Sequence, residues 1–206
     1  MDIQQIQLEK DLLRIGLDID GNITEYVSNK NVKQYVNNFF EFIKDGNIEV
    51  IKFALSLEVD EVINKIENDE FKLPLMFALE HKQDDIAKLL IESGANINCT
   101  SNFKTPLHIA IERNDYMLTK YLLEKGADQN YYSSKRWMPP IHLACQQKLN
   151  RLHIVELLLE YGADPSCWDE NDKTAFDYVE EDRMFIHLFS KYNHIKPNEK
   201  ILFKLD

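Results

Sequence analysis

One hexapeptide recurs along this chain at intervals too regular for chance. Thr105-Pro106-Leu107-His108-Ile109-Ala110 is echoed by Pro139-Pro140-Ile141-His142-Leu143-Ala144. Fainter echoes are Leu73-Pro74-Leu75-Met76-Phe77-Ala78 and Thr174-Ala175-Phe176-Asp177. The steps are 32 residues from Pro74 to Pro106, 34 to Pro140 and 35 to Ala175. A second landmark follows each of the first three: Ser93-Gly94-Ala95-Asn96, Lys125-Gly126-Ala127-Asp128 and Tyr161-Gly162-Ala163-Asp164. Two landmarks in fixed order define a small supersecondary unit. Such a unit cannot bury its apolar face alone, so neighbouring copies must stack.

The residues inside each unit predict a pair of helices. Thr105 suits an N-cap, and Pro106 suits the first helical position, where a missing N–H costs nothing. Asn114, and Gly46 at the matching place further upstream, can adopt the left-handed conformation that ends the first helix. The second helix carries apolar triplets at i, i+3, i+4: Ile86, Leu89, Leu90; Leu118, Tyr121, Leu122; Ile154, Leu157, Leu158. Each triplet makes a stripe facing the next unit, and Gly94, Gly126 and Gly162 end these helices as left-handed caps. Ala110 and Ala144 are small enough for first helices to approach closely. Upstream, Phe42, Gly46, Val50, Phe53 and Ala54 fit a degenerate unit whose Gly-Ala-Asp is replaced by Glu58-Val59-Asp60.

The T-P-L-H-x-A core and the period near 33 resemble the ankyrin repeat. The resemblance implies an all-α solenoid of about five helix-turn-helix units with short finger hairpins. They fall at about 36–69, 70–101, 102–134, 135–170 and 171–194, with a helical extension at 1–35 and a tail at 195–206. It further implies a protein partner, held by the finger tips and the concave face of the first helices. In the same family the T-P-L-H histidine bonds neighbouring backbone, which gives His108 and His142 structural roles. Asn98 and Asn130 resemble finger sites used by eukaryotic asparaginyl hydroxylase.

Composition narrows the partner class. A formal net charge of −11 opposes phosphate binding and predicts no nucleic-acid role. Three cysteines without a C-x-x-C pair fit a reducing compartment and no zinc knuckle. The N-terminus lacks a signal-peptide pattern, and no run of 18 apolar residues occurs. The expectation is a soluble intracellular monomer, with no membrane contact and no cofactor.

Catalytic signatures are missing from the pattern. His81, His153, His187 and His194 show no metal-ligand spacing. Cys145 replaces a small residue on a first helix and reads as packing. Acidic runs such as Asp84-Asp85 and Glu180-Glu181-Asp182 read as solvated helix surface. Asp18 to Asn22 invites a calcium-loop reading, but Gly16 and Val27 stand where the first and last ligands are required. An Asp/Gly turn remains, next to a short amphipathic helix carrying Ile6, Leu8, Leu12, Leu13 and Ile15 that would cover the first unit. The chain is therefore not expected to be an enzyme.

The binding surface maps to the fingers at 99–104, 131–138 and 167–173. The middle finger is two residues longer than the first and carries Tyr131, Tyr132, Lys135, Arg136, Trp137 and Met138. Tyr, Trp and Arg dominate interface energetics, and the alternative is that Trp137 and Tyr131 pack under the finger. Trp168 would extend the patch. On the first-helix face the candidates are His81, Glu112, Arg113, Gln146 and Gln147. The same unit has two surplus residues between its helices, within 148–151. Two other readings stand beside a plain interaction module. One is a pathogen or viral effector that mimics or blocks a host interaction, suggested by the Lys, Ile and Asn usage of an AT-rich genome. The other is an enzyme, or a regulatory subunit of one, using the first 35 residues.

Overall fold

The computed structural model describes residues 3–16, 32–56, 63–68, 72–132, 138–146, 151–179 and 182–192. It divides into two compact units, Met1–Ser101 and Asn102–Asp206. The Asp/Gly turn expected at 18–22, the Glu58-Val59-Asp60 replacement and the 195–206 tail lie outside the described residues.

In the first unit, α1 (Ile3–Arg14), α2 (Val32–Lys44), α3 (Ile48–Leu55), α4 (Pro74–Glu80) and α5 (Asp84–Glu92) follow one another. The sequence boundary at 35 falls inside α2. The first helices α2 and α4 pack together, and α3 packs on α5. α1 joins the second row by packing on α3, burying Leu12 completely. The Arg14 guanidinium lies 4.6 Å over the Phe42 ring, a cation–π contact tying α1 to α2. Phe40 meets Phe77 edge to face at 5.2 Å across the α2–α4 seam. Gly46 turns the chain between α2 and α3 at a φ of 73°. A Cβ there would stand 2.9 Å from the Gln83 side chain, which donates to the Lys44 carbonyl at 2.8 Å.

The second unit repeats this plan with α6 (Pro106–Glu112), α7 (Tyr116–Glu124), α8 (Pro140–Gln146), α9 (Leu152–Glu160), α10 (Ala175–Tyr178) and α11 (Arg183–Lys191). α6, α8 and α10 form one row; α7, α9 and α11 form the other. Ala110 and Ala144 are buried where the first helices meet. Asn114, at a φ of 53°, ends α6, and the glycines after α7 and α9 stand at 92° and 84°. The buried stripe of the second helices is wider than the triplets predicted. Ala87, Thr119 and Val155 are fully buried, whereas Leu89 and Tyr121 are only half-buried. A second helix touches its own first helix as well as its row neighbours, so it needs more than one narrow seam. Thr119 is tolerated there because its hydroxyl donates to the Asp115 carbonyl at 2.7 Å.

The third residue of each Gly-Ala-Asp/Asn landmark opens a finger. Asn96, Asp128 and Asp164 each accept the N–H two residues on, at 3.0, 2.9 and 2.8 Å, as Asx turns do. Asparagine side chains then bridge successive turns. Asn130 donates to the Gly162 carbonyl at 3.0 Å and accepts the Asp164 N–H at 2.9 Å. Asn64 makes the same pair of bonds to Gly94 and Asn96, at 3.0 and 2.7 Å. No helix among the described residues is long and apolar enough to cross a membrane.

Candidate partner-binding surface

The fingers are held by the histidines of the repeated hexapeptide. His108 Nδ1 accepts the Thr105 N–H at 3.2 Å and lies 2.8 Å from its hydroxyl. Nε2 donates to the Met138 carbonyl at 2.9 Å. A carbonyl only accepts, so these partners select the neutral Nε2–H tautomer. Burial pushes the His108 pKa below its ordinary value, partly opposed by the Met138 bond.

His142 has only half of this arrangement. Its Nε2 donates to the carbonyls of Cys167 and Lys173 at 3.0 and 3.2 Å, pinning both sides of the last finger. Pro139 occupies the place of Thr105 and offers neither an N–H nor a hydroxyl, so the buried His142 Nδ1 has no partner. Pro139→Thr supplies both donors. A cap contributes about 1 kcal/mol and relief of a buried orphan about 1–3 kcal/mol, against about 0.4–1 kcal/mol lost with the proline's rigidity. The expected net gain is about 1 kcal/mol or more, read as a raised urea midpoint at unchanged slope. An unchanged or lowered midpoint would contradict this account of His142.

The last finger is closed by a buried carboxylate. Asp169 Oδ1 accepts the N–H groups of Asn171 and Lys173 at 2.8 and 3.0 Å, and Oδ2 accepts the Tyr178 hydroxyl. Burial pushes the Asp169 carboxyl up, but the bonds from Tyr178, Lys173 and Asn171 together hold it below its usual range. Tyr178 is raised to about 12, first by burial and then by Asp169. Trp168, immediately before this bracket, is 52% exposed.

The middle finger resolves the choice between neighbouring tyrosines. Tyr131 turns inward, its ring 6.1 Å from that of His108 and edge-on. Tyr132 is 59% exposed. Met138 is half-buried, and its carbonyl takes the His108 bond. Lys135, Arg136, Trp137 and Gln147 lie outside the described residues.

Among the first-helix candidates, His81 stacks on Phe77 with ring centroids 4.0 Å apart and donates from Nδ1 to the Phe77 carbonyl at 2.9 Å. Glu112 pairs with Lys104 at 2.7 Å, and Arg113 with Asp115 at 3.3 Å. Gln146 is exposed. Tyr132, Met138, Trp168, Glu112, Arg113 and Gln146 thus belong to the second unit, and His81 to the first.

Two residues lie within stretches the sequence singled out, at 99–104 and 148–151, but were given no role of their own there. Phe103 stands 45% exposed at a φ of 66°, a left-handed position costly for a bulky side chain. Its signal was an Asn-Phe pair in a short finger without glycine. Arg151, the last residue of the stretch 148–151, is buried and donates to the Glu112 carbonyl at 2.9 Å. Arg151 therefore reaches back to the end of α6, where a cation suits the last helix carbonyls. All three cysteines are thiols. Burial pushes Cys99 up to about 12 and Cys167, with help from Asp164, up to about 11; Cys145 is raised by burial too. They remain protonated and poorly nucleophilic at neutral pH.

Stacked helix pairs joined by fingers define a repeat scaffold. A family model described as ankyrin repeats (3 copies) matches residues 23–101 and 93–169. The chain belongs to the ankyrin-repeat family. No curated protein matched it. Ankyrin-repeat proteins are generally protein–protein interaction modules and typically non-enzymatic.

Proposed function

We propose that this chain binds a protein partner through the finger tips of its second unit, with Phe103, Tyr132 and Trp168 as aromatic anchors. The observation that carries this reading is that each of the three fingers in 99–104, 131–138 and 167–173 exposes a large aromatic side chain. Aromatic rings bury much area at little entropic cost and are over-represented among interface hot spots. Phe103 adds weight: its backbone conformation costs about 1 kcal/mol or more where glycine would be unstrained, so folding alone gives no reason for it. The reading also includes the sequence candidates Lys135, Arg136, Trp137 and Met138 of the middle finger and Glu112, Arg113, Gln146 and Gln147 of the first-helix set. In this reading 1–35 serves as an N-terminal cap, which the packing of α1 on α3 supports.

The test is affinity capture from cell lysate with the wild type, with Tyr132→Ala plus Trp168→Ala, and with Phe103→Gly. A hot-spot residue contributes about 2 kcal/mol or more, so the double variant is expected to lose its specific partner at least thirtyfold. Phe103→Gly is expected to melt higher than the wild type while capturing less. Equal recovery of every partner by all three proteins would sink the proposal.

A further inference from the structure

The finger at 167–173 holds its exposed aromatic residue by the backbone on both sides. A residue turns about two soft dihedrals, one for each flanking peptide plane. Before Trp168, the Cys167 carbonyl accepts from His142 Nε2 at 3.0 Å. After it, the Asp169 N–H donates to the Lys173 carbonyl at 2.8 Å. Both planes beside Trp168 are therefore tied, while its side chain stays 52% exposed. An indole so held has only its side-chain torsions left to order when a partner covers it.

The second tie depends on bonds that close around one carboxylate. Lys173, whose carbonyl receives the Asp169 N–H, returns its own N–H to Asp169 Oδ1 at 3.0 Å. Asn171 donates to the same oxygen at 2.8 Å, and the Asp172 N–H donates to the Asp169 carbonyl at 3.1 Å. The Tyr178 hydroxyl, on α10, fastens this ring of bonds to the helices by donating to Asp169 Oδ2. The Tyr178 ring also meets His142 edge-on at 6.2 Å, and the Lys173 ammonium lies 5.3 Å over it. One half-buried side chain thus touches His142, Asp169 and Lys173, the three residues that tie Trp168.

We propose that Tyr178 is a positioning residue for Trp168. Acting through Asp169, it keeps the indole in one backbone conformation, ready for a partner that Tyr178 itself does not touch. A bond to a carboxylate shifts an opening equilibrium roughly tenfold to a hundredfold. A backbone left loose must be ordered on binding, which weakens affinity about five- to thirtyfold per residue. The effect on binding rests on the finger-tip reading; the fixing of Trp168 is measurable without a partner.

Tyr178→Phe keeps the ring and removes the bond. In a Trp137→Phe background Trp168 is the single tryptophan, and time-resolved fluorescence anisotropy reads its local motion. The indole with Tyr178 intact is expected to depolarise mainly with overall tumbling. Tyr178→Phe should add a fast local component and speed amide exchange at Asp169 and Lys173 at least tenfold. Tyr161→Phe, which removes a hydroxyl at the end of α9, should change neither. An unchanged anisotropy decay in Tyr178→Phe overturns the proposal. Binding is then read as a double-mutant cycle, by capture titration of a partner that Trp168→Ala weakens. Tyr178→Phe should weaken capture at least fivefold with Trp168 present and no further in the Trp168→Ala background. Equal losses in both backgrounds mark a merely structural role and overturn the proposal. If Trp168→Ala weakens no partner, the finger-tip reading of Trp168 fails, and the anisotropy alone decides whether Tyr178 fixes the indole.

Discussion

Leu158→Ala is expected to lower the unfolding free energy of the second unit by about 2–5 kcal/mol. Leu158 is completely buried on α9, which packs against α7, α8 and α11. Truncation removes transfer free energy and leaves a cavity whose walls belong to several helices, so they cannot collapse inward together. Against a typical domain stability of about 5–15 kcal/mol this is a large fraction. In a repeat stack each unit is stable only through its neighbours, so the loss should spread beyond α9. Urea unfolding followed by helical circular dichroism, with amide exchange on α7 and α11, reads both effects. Met117→Ala, on an exposed side chain of the neighbouring helix, should stay within about 0.5 kcal/mol of wild type. A loss below 1 kcal/mol for Leu158→Ala, or exchange rising on α9 alone, would argue against cooperative stacking.

Acid should weaken the second unit well before carboxylates titrate. His108 and His142 are buried and neutral, with folded pKa values lowered chiefly by burial. In the unfolded chain each titrates near 6.5. Because the unfolded state then binds more protons, stability is fully present above about pH 6.5 and falls as the pH drops toward the folded values. Each histidine contributes at most about 1.4 kcal/mol per pH unit within that window, so the pair contributes up to about 2.7 kcal/mol per unit. Protonating His142 would also create a buried N–H where no acceptor is placed. Asp169 has the same sign at lower pH: its folded pKa is depressed, so its stabilisation is complete above about 3.9 and is lost as the pH falls through the folded value. Urea midpoints at pH 7.5, 6.5, 5.5 and 4.5 give the slope. His142→Gln should roughly halve it between 6.5 and 5.5, whatever the variant's absolute stability. A wild-type midpoint constant from 7.5 to 5 would refute this linkage.

The fold was legible because its determinants are local. The glycines and Asn114 that end helices, the prolines at helix starts and the small alanines between first helices each act within a few residues or through a fixed period. The register failed only where a landmark was lost. Without Gly-Ala-Asp near 58–60, the bridging role of Asn64 could not be aligned with that of Asn130. The candidate surface was legible only in part. The aromatic middle finger stood out in composition, but the inward turn of Tyr131 and the exposure of Tyr132 depend on where the His108 ring lies.

The sequence by itself determined an ankyrin stack and the order of its helices, because period, cap chemistry and residue size are properties of neighbours along the chain; the structural role of the hexapeptide histidines came with the family resemblance. Only the tertiary structure decided which finger side chains face outward. It alone showed that Arg151 reaches back to α6 and that the buried His142 Nδ1 is left without a partner. The inward turn of Tyr131 and the reach of Arg151 depend on contacts between residues about 23 and 39 apart, and neither propensity nor period carries information about which atoms meet there.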